Sequence, residues 1–369
     1  MKGLIIWAYS NCRSTMALYR AIQRYANFSV KIVLVEGNHK CDIPSIRKQV
    51  GFRNDEFNDI EPVFLNDDYS IGTRIMDENP GCAHIFCAYQ RVEIYRKLIQ
   101  EAKHRNEKIF IAGEAPCNMS SGWRWLLKEI YLRLVLRWKV RGVVRAAEKF
   151  ICFSGDAFKL SALAGWSKEK VVPFGYFSPP IEKTTCVKRV NNKPFTILAT
   201  GILSKYRGAD VLVKALKILK DRGVEYRAII TQEGELLPSL KKKAAKFDLP
   251  IEFPGFLSMD ELTRLYENCS VYVGAGRSEP WGMRLNDALN CGAPLIISRG
   301  MGGVKLVDDY KCGLYYSNNN AKDLADQLQC LAEDKDLFLS VADRAYQVQE
   351  NISPECKARE LLDELKNIT

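Results

Sequence analysis

One alternation, run twice with an aperiodic break, constrains this chain most. In the first half the short apolar runs are "GLIIWAYS", "SVKIVLVEG", "HIFCAY", "KIFIAG", "KFICFS" and "KVVPFG". Helical periods lie among them: Arg13 to Tyr25, "QRVEIYRKLIQEAKHRN", and a basic stretch from about Trp123 to about Arg141. The segment between "SVKIVLVEG" and "HIFCAY" reads as irregular. Residues 174–194, "FGYFSPPIEKTTCVKRVNNKP", have no period and predict the join between two domains. The alternation then restarts with "FTILATG", "YRAIIT", "IEFPG", "SVYVGAG" and "APLIIS", each followed by a helical pattern. Three amphipathic patterns close the chain after Asn320. Short apolar strands alternating with helices make parallel sheets covered on both faces. The expectation is therefore α/β: two doubly wound, Rossmann-like domains, with ligands at the carboxyl ends of the strands.

Bulk properties narrow the class. A chain of 369 residues suits two such domains. The opening "MKGLIIWAYSNCRS" is too short in apolar residues for a signal sequence, and no run reaches the ~18 apolar residues of a membrane span. The twelve cysteines include no C-x-x-C pair, and Cys82 and Cys87 have no histidine at a zinc-like spacing. With three histidines in all, this predicts reduced thiols in the cytoplasm and no metal centre. The formal charge of +10 is uneven: residues 1–185 hold 28 Lys and Arg against 19 Asp and Glu, and the remainder hold 26 against 25. The first half should face something anionic.

The chemistry concentrates in "GRSEPWGMRLNDALNCGAPLII". Glu279 falls in a strand-to-helix loop, with the helix expected near Gly282 and Asp287 about a turn and a half into it. A helix N-terminus offers free N–H groups to a diphosphate, and Gly282 lets backbone approach a ligand. A loop carboxylate can hold sugar hydroxyls, and one on the helix can accept from both hydroxyls of a ribose. The spacing brackets a nucleotide diphosphate sugar.

This segment resembles the E-x7-E element of retaining GT-B glycosyltransferases, above all glycosyltransferase family 4. Their E-P-F-G-x-x-x-x-E-A and C-G-x-P read here as E-P-W-G-M-R-L-N-D-A and C-G-A-P. "ILATGILSKYRGADVLVKAL", "IEFPGFLSMDELTRLYENCSVYVGAG" and "GGVKLVDDYKCGLYY" resemble other family elements in order, over residues 195–317. The resemblance implies a GT-B fold, its two domains facing across a cleft: residues 1–185 on the acceptor side, 186–352 on the nucleotide-sugar side. A helix over 353–369 would pack back toward the first domain. It implies a donor site of Gly201, Lys205, Arg207, Phe256, Leu257, Glu279, Trp281, Gly282, Met283, Arg284 and Asp287. Glu279 and Arg207 would be catalytic, and Glu114, in the place of a family histidine, would meet an acceptor hydroxyl.

Three positions depart from the pattern. Asp287 replaces the second glutamate, Arg207 replaces a lysine, and Ile202 stands where an arginine usually meets the leaving diphosphate. One cation is missing unless Lys205 or Arg284 supplies it. In "YSNCRSTMAL", Ser10, Asn11, Ser14 and Thr15 offer helix caps and Arg13 a charge toward the cleft. His84 opens a strand, as an architectural or a functional residue.

The basic helix has its own pattern. Arg133, Arg137, Arg141 and Arg145 recur every four residues. Ile130, Leu134 and Trp138 form an apolar stripe with Leu127, Tyr131 and Val135 beside it, and Trp125 precedes them. Tryptophan, aliphatics and arginines on one helix fit an anionic membrane surface; an ordinary helix packed on the sheet is the alternative. No nucleic-acid motif accompanies the charge.

The expectation is a metal-independent retaining glycosyltransferase, peripheral on the cytoplasmic face of a membrane. Its co-substrate would be a UDP- or GDP-linked sugar. Its acceptor would be a glycan, lipid-linked, as in lipopolysaccharide or cell-surface polysaccharide synthesis. A non-catalytic GT-B partner protein, or a nucleotide-sugar epimerase or phosphorylase, is the alternative.

Overall fold

The computed structural model describes residues 2–9, 13–35, 60–66, 68–87, 92–116, 123–178 and 194–367, without the side chains of Arg13, Arg124 and Trp125. Ser10 and Asn11 lie outside these residues. Two compact units result, residues 1–179 with 353–369, and residues 180–352.

The first unit holds a parallel sheet in the order β3-β2-β1-β4-β5-β6-β7. Its strands are β1 Gly3–Ala8, β2 Ser29–Leu34, β3 Val63–Phe64, β4 Ala83–Cys87, β5 Ile109–Gly113, β6 Lys149–Cys152 and β7 Val171–Pro173. All six residues of β1 are buried, as in a central strand covered on both faces. His84 is architectural: its buried ring accepts at Nδ1 from the Trp7 indole at 3.0 Å. That fixes the ring hydrogen on Nε2, 2.8 Å from the Glu107 carboxylate.

The stretch read as irregular contains the helix Tyr69–Glu78, whose N-cap Asp68 accepts from the Ser70 amide at 2.8 Å. The supposed join begins later than expected, because Phe174 and Phe177 are buried in the first unit's core. The helix Pro354–Lys366 packs Ala358, Leu361, Leu362 and Leu365 into that same core, beside Met16, Tyr19 and Ile22 of the helix Arg13–Tyr25.

The basic helix runs from Trp123 to Ala146, and its central turn Tyr131–Leu136 is π-helical. The wider turn breaks the strict four-residue register of the arginines. Leu132, Leu136, Val140 and Val143 face the core. The predicted stripe points outward: Leu134 is 67% exposed and Trp138 63%, with Leu127, Ile130, Tyr131 and Val135 also exposed. All four arginines are exposed. Arg133 is paired with Glu129 at 2.9 Å, so it adds little net charge, and Arg141 lies over the Trp138 ring at 5.4 Å.

The second unit holds a parallel sheet in the order β10-β9-β8-β11-β12-β13. These are β8 Phe195–Ala199, β9 Tyr226–Thr231, β10 Ile251–Gly255, β11 Val271–Gly274, β12 Leu295–Ser298 and β13 Gly313–Tyr316. Strand order reverses at β8 and β11, which makes a crevice at their carboxyl ends.

Candidate functional site

A pocket occupies that crevice. Its walls are the turn after β8, Thr200 to Leu203, and Ala275, Gly276 and Glu279 of the turn after β11, with Arg207, Gly282, Arg284 and Met301 among the other residues that line it.

Backbone and side chains lock the two turns together. The Arg277 amide donates to the Tyr206 carbonyl at 2.8 Å. Its guanidinium donates to both oxygens of Asp210, at 2.9 and 2.8 Å, and to the Lys205 carbonyl. Burial alone would push the Asp210 carboxyl up; the Arg277 guanidinium outweighs it and holds the group below the usual carboxylate range. Gly208 makes the close approach possible. Its φ is +73°, and a Cβ there would lie 1.9 Å from the Ala275 carbonyl oxygen.

Glu279 is fixed from the other side. Its amide donates to the Gly300 carbonyl at 3.1 Å, and its carbonyl accepts from Gly302 at 2.8 Å. Its carboxylate is ion-paired with Arg207. Burial disfavours the Arg207 charge, but the Glu279 carboxylate and the Tyr206 phenol overcome it and raise the guanidinium pKa.

Of the residues expected at a donor site, Gly201, Arg207, Glu279, Gly282 and Arg284 line the pocket. Others sit elsewhere. Trp281 is buried and donates to Asn286 at 2.7 Å, so its indole braces the turn. Lys205 is exposed outside the lining, its amide donating to Glu235 at 3.2 Å. Phe256, 43% exposed, and Leu257 follow edge strand β10, to one side of the pocket. Met283 and Asp287 are half-buried and are not among the lining residues, though their chain neighbours Gly282 and Arg284 are.

The helix here is only Arg284–Asn290, beginning later than expected, so Asp287 sits on its first turn. Seven residues make a weak dipole, and the charge in this pocket comes from guanidinium groups instead. Gly282 is also explained differently: its φ is +106° and a Cβ would meet Met301 Cε at 2.5 Å, so it accommodates Met301. In the first unit, Glu114 stands exposed at the end of β5 and accepts from the Tyr176 hydroxyl at 2.9 Å. Trp125, expected at a membrane, has no described side chain.

Sequence reading missed Arg277 and Asp210, which are 67 positions apart. It also missed Thr200, Tyr266 and Tyr272. The two phenols meet the Thr200 hydroxyl at 3.0 and 3.1 Å, with Thr200 and Tyr272 themselves lining the pocket.

Comparison with known proteins agrees with this architecture. Residues 181–348 match the family of glycosyl transferases group 1. The chain is 37% identical over 155 residues to a GDP-mannose-dependent alpha-(1-6)-phosphatidylinositol dimannoside mannosyltransferase of Mycobacterium tuberculosis, covering 40% of each chain. It is 27% identical over 178 residues to the putative colanic acid biosynthesis glycosyltransferase WcaL of Escherichia coli, 46% of this chain and 44% of that one. The chain spans about half the length, or less, of these curated relatives. Among solved structures, Anabaena Alr3699/HepE in complex with UDP superposes with a TM-score of 0.68 over 100% of both chains, at 13% identity. The likeness to the group 1 glycosyl transferases thus lies in the second unit, and the fold is GT-B.

Proposed function

We propose that this protein is a retaining glycosyltransferase that moves a sugar from a UDP- or GDP-linked donor to a glycan acceptor carried on a lipid. The observation that carries the reading is the pocket at the β8/β11 reversal, where Arg207 and Arg284 bring positive charge beside the Glu279 carboxylate. The choice of base rests on likeness: HepE is described with UDP, and the mycobacterial relative is named as GDP-mannose-dependent.

In this reading the acceptor hydroxyl attacks the anomeric carbon on the face from which the diphosphate departs. One C–O bond forms as the other breaks, and the hydroxyl proton passes to the leaving phosphate oxygen. The two guanidinium groups neutralise the charge that develops on the diphosphate, the large electrostatic part of such catalysis; the reading requires no metal or other cofactor. Glu279 holds sugar hydroxyls and Asp287 the ribose, so neither acts as a glycosidase acid or nucleophile. Glu114 meets the acceptor.

The lipid-linked acceptor draws on the exposed aromatic and aliphatic face of the helix Trp123–Ala146 with Arg137, Arg141 and Arg145 about it. Such a face lies in an anionic membrane surface. Among the described residues no helix is long and apolar enough to cross a membrane, and a peripheral position on the cytoplasmic face is proposed.

A thermal-shift panel of UDP, GDP, ADP and CMP tests the donor site. UDP or GDP should raise the melting temperature, and at a hundredfold excess over Kd the linkage gain is about 2.7 kcal/mol. No shift with any of the four overturns the reading. Turnover of a nucleotide sugar without acceptor would favour an epimerase, and nucleotide binding with no turnover a non-catalytic partner.

A further inference from the structure

Charge in the second half of the chain is balanced in sum but not in place. Residues 186–369 hold 26 Lys and Arg against 25 Asp and Glu. Yet the helices Ala209–Asp221 and Leu237–Lys246 carry three and four lysines, and only two acids between them, Asp210 and Asp221. The two helices lie side by side. Leu212, Leu216 and Leu219 share a core with Leu240 and Ala244, and Lys217 and Lys246 both stand over the Phe247 ring, at 5.1 and 5.4 Å.

The nearby acids are already taken. Asp210 is held by Arg277 and Asp221 is paired with Lys217. Asp248, just past the second helix, is paired with Lys220 at 2.9 Å. Among the described residues no ion pair reaches Lys241, Lys242, Lys243 or Lys246, and all four are exposed. Leu240 and Ala244 face the core, so the helical repeat points Lys242 and Lys246 straight outward with Lys241 and Lys243 on the flanks. Like charges three and four positions apart on a helix repel. Lys243 and Lys246 sit in the last turn, where cations suit the helix dipole. Lys241 and Lys242 have no such role.

The patch offers charge without insertion: among the described residues, neither helix exposes a large apolar side chain. Lysine presents a hydrated point charge rather than the planar fork that grips one phosphate. No exposed ring on these helices is there to stack a nucleic-acid base. A cluster of lysines on an amphipathic helix matches an array of anionic headgroups.

We infer that the second unit has its own contact with an anionic lipid surface, made by Lys241, Lys242, Lys243 and Lys246. This goes beyond the donor site and beyond the helix Trp123–Ala146, and shares with the proposed function only the kind of surface met. The first unit's face adds apolar burial to charge. The second unit's contact is electrostatic throughout, so it is the one that releases first as salt rises.

Flotation of the full chain tests it, on phosphatidylcholine vesicles with and without phosphatidylglycerol, at low and high salt. Wild type is compared with a variant carrying Lys241→Gln, Lys242→Gln, Lys243→Gln and Lys246→Gln, with Leu134→Ser plus Trp138→Ser, and with all six changes together. Glutamine keeps helix propensity, so the four-lysine variant should melt with wild type. If it does not, Lys241→Gln with Lys242→Gln, which spares the last turn, takes its place. The four-lysine variant should partition at least about tenfold more weakly onto anionic vesicles at low salt, with no change on phosphatidylcholine alone. What binding the Leu134 and Trp138 variant retains should vanish with salt and in the six-change protein. An unchanged partition in the four-lysine variant overturns the inference and leaves the first unit's contact standing. Loss in that variant, with none in the Leu134 and Trp138 variant, upholds the inference and removes the first unit's contact instead. A wild type that ignores anionic vesicles overturns both. Oligo-dT serves as the polyanion control: a lysine-dependent hold on it, with vesicle binding unmoved by the four changes, assigns the patch to nucleic acid and overturns the lipid contact.

Discussion

The proposed membrane contact predicts that replacing Leu134 and Trp138 together by serine releases the protein from anionic vesicles without unfolding it. Both side chains lie about two-thirds exposed, so neither contributes much to the core. Fully burying such a side chain gains about 1.5–3 kcal/mol. With about two-thirds of each open to a bilayer and shallow insertion, the pair contributes roughly 3 kcal/mol, a partition change of ~100-fold. The charges act separately. Arg137, Arg141 and Arg145 changed to glutamine should cost about 1 kcal/mol each at low salt, while Arg133, already paired with Glu129, should cost less. That second loss must fade with added salt, as the Debye length falls from about 10 Å at 0.1 M to 3 Å at 1 M. Flotation on neutral and phosphatidylglycerol-containing vesicles measures both contributions, with thermal melting as the folding control. The reasoning is refuted if the serine variant floats as well as wild type, or if wild type ignores anionic vesicles at low salt.

Three further outcomes follow from the pocket. Glu279→Gln should lower turnover by more than tenfold while nucleotide affinity changes little, since its carboxylate is assigned to the sugar; unchanged turnover in a donor-release assay removes that role. Asp287→Asn should weaken nucleotide binding severalfold, because an amide accepts from two ribose hydroxyls less well than a carboxylate, and an unmoved Kd in calorimetry rejects the ribose contact. Against the upward push of burial, Arg277 holds the folded pKa of Asp210 below the ordinary carboxylate range, so its stabilisation is complete above the unfolded pKa and lost as pH falls through the lowered folded pKa. The stability gap between wild type and Asp210→Asn, on the order of 1 kcal/mol, should therefore stay level from neutral pH to about 4 and close only below it; urea titrations across that range would show a gap already closing near pH 6 if the pair is not the source.

The strands were legible because a parallel sheet covered on both faces demands continuous apolar runs, and "GLIIWA", "FTILA" and "LIIS" offer no other reading. The helix Tyr69–Glu78 was missed because its signal is a single cap, Asp68, before a weak period. On the basic helix, two apolar stripes compete, and periodicity cannot say which one the sheet covers; Leu132, Leu136, Val140 and Val143 took the inside. Glu279 and Arg207 were readable from one short motif each. The Arg277–Asp210 lock was not, since it joins turns far apart in the chain. The bracing role of Trp281 was not readable, because an aromatic beside a functional acid looks the same in sequence whether it faces a ligand or holds the turn.

The first unit is assembled from two separate stretches of chain, and that orders the events of folding. Residues 180–352 form a continuous unit and can close their sheet as soon as they are made. The first unit cannot complete its core until the helix Pro354–Lys366 arrives, because Leu361, Leu362 and Leu365 fill the space beside Met16, Tyr19 and Ile22. Until then an apolar face on the helix Arg13–Tyr25 stays open to solvent, a surface that chaperones hold and that other copies of the chain can seize. The part of the protein synthesised first is thus the last to become stable, and a chain cut short at residue 352 loses its N-terminal unit rather than its C-terminal one.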